Sequence, residues 1–209
     1  MSFKQGCVLS VLACTLSSAG VTSAADLSVS GHIRPGGACS IALGNGGTVD
    51  LGTISRKDLK EAEETEFNPR AISLGIHCQA PTKIALRMLD NRAGTSTSSN
   101  ALAYGLGASG GKNVGWLDLS VFFSRGDDKG WLDHLRNSPG SEAWDAKSGW
   151  AMRPSWLYSW AAEGQTLPQA FQDISGWLYF GVFIAPAKDL DLSQEIAIDG
   201  SSTMELVFL

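Results

Sequence analysis

Ile72-Ser-Leu-Gly-Ile-His-Cys78 carries an apolar side chain at every second position. A period of two is the signature of a β-strand that buries one of its faces. The same alternation recurs in short runs that are separated by residues typical of turns. These runs lie near residues 27–33, 39–43, 49–53, 84–88, 117–123, 177–184, 195–198 and 204–208. The sequence therefore predicts an all-β fold, an antiparallel β-sandwich.

Two segments have weak helical features. Ser55 is a suitable N-cap for a short helix over residues 56–64, because small hydroxyl side chains satisfy the first free amides of a helix. Trp131-Leu132 and Leu135 have the spacing of one buried turn. Residues 94–115 are rich in Gly, Ser, Thr and Asn, which predicts a long loop or a frayed hairpin. We therefore expect only few, short helices in the sandwich.

The first 25 residues have the features of a secretory signal peptide. Lys4 supplies a positive charge, an apolar stretch follows, and small residues end the segment at Ala25. We expect cleavage after Ala24 or Ala25, which leaves residues 26–209 as a single domain of an exported protein. Cys14 offers a weaker alternative, a lipoprotein-type cleavage site. After this segment the sequence contains no run of about 18 apolar residues, so it predicts no transmembrane span.

Composition excludes several classes of protein. Of the 209 residues 44% are hydrophobic, and 16 Lys plus Arg stand against 21 Asp plus Glu, a net charge of −5. The chain thus has enough apolar side chains for one core, and it lacks the basic surface of a nucleic-acid binder. Only three histidines are present, and no Gly-x-Ser-x-Gly, His-Glu-x-x-His or phosphate-loop motif occurs. We expect a protein that is not an enzyme and holds neither a cofactor nor a metal. A Ser-His-Asp group or a carboxylate pair remains open, because such residues meet in space.

The cysteines that follow the signal peptide are Cys39 and Cys78. An even pair in an exported chain is expected to form a disulfide. Metal binding is the competing interpretation. It is weaker because neither cysteine has a second cysteine nearby, and His77 beside Cys78 points to the opposite face of its strand.

Tryptophan is concentrated in one part of the chain. Six of the seven Trp lie between Trp116 and Trp160. Such a cluster serves either as a set of core anchors or as a platform on which sugar rings stack. In the second case Trp144, Trp150 and Trp156 are the candidate glycan contacts, and the protein is a carbohydrate-binding module of the periplasm or cell surface.

Both ends of the chain resemble known exported proteins. The first run, Leu27-Ser-Val-Ser-Gly-His-Ile33, places Leu27, Val29, Gly31 and Ile33 on one face, and Cys39 follows six residues later. The last stretch reads Met204-Glu-Leu-Val-Phe-Leu209. These features resemble chaperone–usher pilin subunits. Together with residues 25–31, 46–54, 78–86, 90–94 and 198–209, they are similar to a fimbrin-like secreted bacterial family of unknown function, the GltF-like periplasmic proteins.

The resemblance implies an immunoglobulin-like sandwich of pilin type that lacks one strand. A periplasmic chaperone or a neighbouring subunit would fill the resulting groove by β-strand donation. Met204, Leu206, Phe208 and Leu209 would form the edge that the donated strand grips. The chain would then be a fimbria-like structural or adhesion subunit in the periplasm or on the surface of a Gram-negative-type bacterium. Because only about a dozen residues separate Ala25 from Cys39, we expect a terminal subunit, a minor subunit or a self-completed monomer.

Overall fold

Strands form nearly all of the regular structure in the computed structural model, which describes residues 38–127, 130–146 and 151–209. Three short 3₁₀ turns, Gly44–Gly47, Arg56–Asp58 and Ala187–Asp189, connect some of them. The strands are β1 (Cys39–Leu43), β2 (Thr65–Thr82), β3 (Ile84–Asp90), β4 (Tyr104–Gly105), β5 (Ala108–Ser109), β6 (Lys112–Asn113), β7 (Gly115–Gly126), β8 (Leu132–Asn137), β9 (Leu157–Ala162), β10 (Phe171–Ile184) and β11 (Ser202–Phe208).

The strands form two main sheets and one small hairpin. The first sheet has the order β1-β2-β10-β7-β4, the second has the order β11-β3-β9-β8, and β5 pairs with β6. Every one of these pairings is antiparallel. The predicted all-β fold with antiparallel sheets is confirmed. The chain forms two compact units. The first, Met1–Ile33, lies outside the described residues, and the second, Arg34–Leu209, contains the eleven strands named above.

The core explains why the alternating runs become strands. In β2 the side chains of Ile72, Leu74, Ile76 and Cys78 are buried, whereas those between them face outward. Leu86 and Met88 of β3 and Trp160 of β9 join the same cluster from the other sheet. Burial of one face of each sheet is the main driving force, at about 25 cal/mol for each Å² of apolar surface removed from water.

Three predicted elements differ from the structure. Residues 49–53 and 195–198 form no strand, although Val49, Ile196 and Ile198 are partly buried against the core. In place of the helix predicted over residues 56–64, the structure has only the 3₁₀ turn Arg56–Asp58. The turn ends there because the backbone of Leu59 is extended.

The structure has two strands in the tryptophan-rich part of the chain, β8 and β9, where the sequence predicts no strand. The turn predicted at Trp131-Leu132 and Leu135 is strand β8, which pairs with β9 along six residues. Strand β9 itself was not predicted. Four successive residues of β9, Tyr158 to Ala161, are buried, so both of its faces are covered and no alternation marks it.

The disulfide joins the first two strands. Cys39 and Cys78 lie directly opposite each other in the antiparallel register of β1 and β2, and their sulfur atoms are 2.01 Å apart. The predicted disulfide is thereby confirmed, which leaves no thiolates for the metal alternative. A disulfide also fits an exported protein, because such bonds persist in oxidising compartments. Within the described ranges, no helix is long and apolar enough to cross a membrane.

We expect replacement of either half of the disulfide to weaken the fold. The bond closes a loop with a sequence separation of 39 residues, and loop-closure entropy makes such a bond worth roughly 4 kcal/mol. Cys39→Ser or Cys78→Ser should therefore lower the free energy of unfolding by about 2–5 kcal/mol, measured by urea denaturation of the oxidised protein. Reduced wild type, in which both cysteines are present as thiols, is the matched control and should lose a similar amount. Unfolding free energies equal to wild type in both variants would show that the bond does not stabilise the fold.

Candidate functional site

An apolar groove runs between the edges of the two main sheets. Strand β1 lies at one edge of the first sheet, and β11 lies at one edge of the second. Among the described residues, each has a neighbouring strand on one side only. Both strands line a cavity of about 1310 Å³. Its apolar lining includes Ile41, Leu43, Leu117, Leu119, Leu178, Phe180, Val182, Leu192, Ile196, Ile198 and Met204.

The floor of the groove is the inner face of the first sheet. Strand β10 turns Leu178, Phe180 and Val182 toward it, and alternate residues of this strand face the opposite side of the sheet. Leu178 and Val182 are buried, while Phe180 is only half-buried. The floor is therefore a surface of the hydrophobic core that remains partly uncovered.

Strand β11 forms one wall, and it contains the predicted strand-exchange residues. Met204 and Leu206 pack against the core but stay half-buried, and no side chain of the strand is fully buried. Phe208 and Leu209 are exposed at its end. On the other face of the strand, Glu205 pairs with Arg87 of β3 at 3.6 Å. A strand that closes a core normally buries one face completely, so the core is incomplete on this side.

Two loops continue the walls without joining a sheet. Residues 48–55 follow β1, and residues 191–200 precede β11. The second loop is held at its end, because Asp199 accepts hydrogen bonds from the guanidinium of Arg92 and donates its amide to Leu106 O at 3.0 Å. Beyond the first loop and the turn Arg56–Asp58, Lys60 O and Glu61 O accept hydrogen bonds from Ala187 N (2.9 Å) and Lys188 N (3.2 Å). The segment after the first loop and the loop before β11 are therefore each tied to another part of the sandwich.

The other predicted site residues fall in different places. The predicted N-terminal strand with Leu27, Val29, Gly31 and Ile33 lies outside the described residues, as does Trp150. Trp144 is half-buried. Trp156 is also half-buried, and its ring lies 5.4 Å from the guanidinium carbon of Arg136 and 4.8 Å from that of Arg153.

The remaining tryptophans divide into packed and exposed rings. Trp160 is buried, and Trp116 stacks on Phe183 with ring centroids 4.0 Å apart. Trp131 and Trp177 are exposed by 51% and 46%. Among the described tryptophans some rings are packed and others are exposed, and the role of Trp144 and Trp156 as glycan contacts stays a prediction. Nothing in the sequence pattern predicts the exposure of Trp177, which lies outside the tryptophan-rich segment.

Comparisons with known proteins support the resemblance to GltF-like proteins, whereas the resemblance to pilin subunits stays a prediction. Residues 27–115 match a family described as protein of unknown function (DUF1120), and this region holds β1 to β6 and both cysteines of the disulfide. The chain is 25% identical to Protein GltF of Escherichia coli strain K12, with 100% of each chain covered. It is 24% identical to the uncharacterized protein YhcF of the same strain, over 82% of this chain and 85% of that protein. The chain is similar to GltF-like proteins of unknown function.

A serine and a histidine meet outside the groove, as a Ser-His site would require. Ser124 Oγ lies 2.9 Å from His134 Nε2 and accepts a hydrogen bond from Trp160 Nε1 at 3.1 Å. Ser124 is buried, so a substrate cannot reach its hydroxyl. In the part of the chain that the structure describes, no carboxylate hydrogen-bonds His134. The arrangement therefore links β7, β8 and β9 and does not present a nucleophile.

Burial makes His134 a source of acid sensitivity. Loss of hydration lowers the pKa of His134 from 6.5 to about 4, against a smaller opposite effect of Asp133. Because the folded state resists protonation, stability is full above pH 6.5 and falls as the pH drops from 6.5 toward 4. We expect wild type to lose about 2 kcal/mol of unfolding free energy through this group between pH 7.5 and pH 5.

Urea denaturation at the two pH values tests this expectation. His134→Gln should be less stable at pH 7.5 and should lose about 2 kcal/mol less than wild type on acidification. His77→Gln is the control, because His77 is exposed on β2. Equal losses in wild type and His134→Gln would contradict the role of His134.

Proposed function

We propose that the protein is an exported, fimbria-like structural or adhesion subunit whose groove receives a β-strand from another polypeptide. The observation that carries this proposal is the apolar groove between two edge strands, β1 and β11. The partners are a periplasmic chaperone and neighbouring subunits of a fibre. The protein would act in the periplasm or on the cell surface.

Backbone chemistry supports strand donation. An edge strand presents N–H and C=O groups without a partner, and an extended peptide satisfies them by adding one strand to the sheet. In the groove a donated strand would lie beside β11, because that strand is paired on one side only among the described residues. Main-chain hydrogen bonds would supply affinity that does not depend on the sequence of the donor.

Side-chain chemistry would supply the specificity. Alternate residues of a strand point to one face, so every second side chain of the donor would enter the groove. The floor offers Leu178, Phe180 and Val182, and the walls offer Met204 and Ile198. The donor is therefore expected to carry apolar residues at alternate positions. Insertion would complete the burial of the half-exposed Phe180 and Met204.

The disulfide supports the same proposal because it fixes one border of the groove. Ile41 and Leu43 line the groove and lie in the five-residue strand β1, which the disulfide ties to β2 at Cys39. A short edge strand held in this way loses little further conformational freedom when a partner binds. The border is therefore prepared for binding in the isolated subunit.

The test is binding of a synthetic strand to variants of β11. The probe is a fluorescently labelled peptide of about ten residues that alternates isoleucine or valine with serine or threonine. Met204→Glu places a charge at the groove, whereas Thr203→Glu places the same charge on the exposed neighbouring position of the same strand. We expect Met204→Glu to weaken binding at least about tenfold, equivalent to about 1.4 kcal/mol, and Thr203→Glu to bind like wild type by fluorescence anisotropy.

Two controls make this result decisive. A peptide of the same composition without alternation should not bind, and circular dichroism should show that both variants keep their strands. The proposal fails if the alternating peptide does not bind wild type, or if both glutamate variants bind it equally well.

A further inference from the structure

The outer face of the first sheet carries a patch of aromatic rings, on the opposite side from the groove. We define the aromatic patch as Phe122, Phe123, Trp131, Trp177 and Tyr179. Phe123 is exposed by 59%, and Trp131 and Trp177 are exposed by about half, while Phe122 and Tyr179 are half-buried. Large aromatic side chains rarely remain in solvent together without a partner.

The rings form a connected chain of contacts. Phe122 lies 5.1 Å from Tyr179 and 6.0 Å from Phe123, and Phe123 lies 6.2 Å from Trp131, measured between ring centroids. The guanidinium carbon of Arg125 lies 4.1 Å from the centroid of Trp131. Trp177 stands opposite Phe122 in the register of β10 and β7. The patch is therefore one surface that ends at a cation.

A bulge in β7 places Phe123 in solvent. The register of β7 and β10 shifts between Ser175 and Trp177, so that Phe123 and Ser124 lie opposite the single residue Gly176. Phe123 has a φ of +53°, a conformation that bulky side chains rarely adopt and in which glycine is usual. Folding alone does not call for a phenylalanine here. Strained residues that persist in a fold are concentrated at binding sites.

We propose that the aromatic patch is a binding site for an acidic oligosaccharide. The apolar C–H faces of sugar rings pack on aromatic rings, and a carboxylate on the sugar would pair with Arg125. Among the described residues, no ion pair involves Arg125. The charge at the end of the patch is therefore complementary to an anionic ligand.

The composition of the face suits a glycan. The outward positions of β7 and β10 carry aromatic, serine, glycine and charged residues, and none of them is Leu, Ile, Val or Met. A sugar is bound by aromatic faces together with polar groups that hydrogen-bond its hydroxyls, so it needs no aliphatic neighbours. Here the hydroxyls of Ser120 and Ser175 and the pair His77–Asp173, 2.7 Å apart, supply hydrogen-bonding groups on the same face.

The ring angles favour a single, soluble sugar chain. Neighbouring rings are inclined by 77°, 39° and 61° to each other. A flat crystalline polysaccharide would need coplanar rings, whereas tilted rings fit successive residues of a chain that turns. This site faces away from the groove and does not rest on the proposal of strand donation.

The test is a glycan array that carries uronic-acid and sialic-acid oligosaccharides beside their neutral counterparts, followed by calorimetry with the acidic glycan that binds best. We expect wild type to bind acidic glycans in preference to neutral ones. Trp131→Ala and Phe123→Gly should each reduce affinity at least about tenfold, and Arg125→Gln should remove the preference for acidic glycans. Leu167→Ala removes an exposed apolar side chain outside the patch and the groove and should bind like wild type.

Thermal melting separates loss of binding from loss of fold. Phe123→Gly relieves the strained backbone, so its melting temperature should equal or exceed that of wild type while binding is lost. The proposal is overturned if no glycan binds, if acidic and neutral glycans bind alike, or if binding survives the substitutions in the patch. It is also overturned if sedimentation shows that the patch joins two copies of the chain in the absence of glycan.

Discussion

The one-sided pairing of β1 and β11 among the described residues imposes the main physical constraint on this structure. The backbone groups on the other side of each strand need hydrogen-bonding partners, and both strands border the same apolar groove. Water satisfies the backbone groups but leaves the apolar floor hydrated, at a cost that grows with its area. The disulfide ties β1 to β2 at one border of the groove, and the hydrogen bonds of Arg92 to Asp199 anchor the loop before β11 at the other.

Strand β10 connects the two proposed binding surfaces. Phe180 points into the groove, whereas Trp177 and Tyr179 point to the outer face of the same sheet. A strand inserted in the groove would therefore leave the aromatic patch exposed. This separation is what the proposed adhesion subunit requires, because such a subunit assembles through one surface and binds its target through another. Because the two surfaces lie on opposite faces of the sheet, a substitution in one of them does not directly contact a ligand bound at the other.

Much of the fold follows from sequence patterns, and the reasons for the exceptions are physical. Strand β2 was predictable because only one of its faces is buried, so its residues alternate. Strand β9 was not, because both faces are covered. Residues 195–198 alternate like a strand but pair with no described strand. Strand β3, which pairs with β11, ends at Asp90, and the turn after it contacts Asp199 through a hydrogen bond from Arg92.

The sites were less predictable than the strands. The alternation of Met204, Leu206 and Phe208 predicts a strand, and among the described residues this strand pairs with β3 alone. Its role in strand exchange, which the pilin resemblance implies, stays a prediction. The aromatic patch did not follow from the sequence, because the exposure of Phe123 depends on a bulge whose position is set by the pairing of β7 with β10. The Ser124–His134 contact likewise depends on which strands are neighbours.

Residue-resolved amide exchange, measured by NMR on the disulfide-bonded chain alone and with an alternating strand peptide, tests the open edge most directly. We expect the amides of β11 that point away from β3 to exchange rapidly in the isolated chain and to become protected when the peptide is added. Amides of β8, at the opposite edge of the same sheet, should not change. Protection of the outward β11 amides in the isolated monomer, or no change on addition of the peptide, would contradict an acceptor groove.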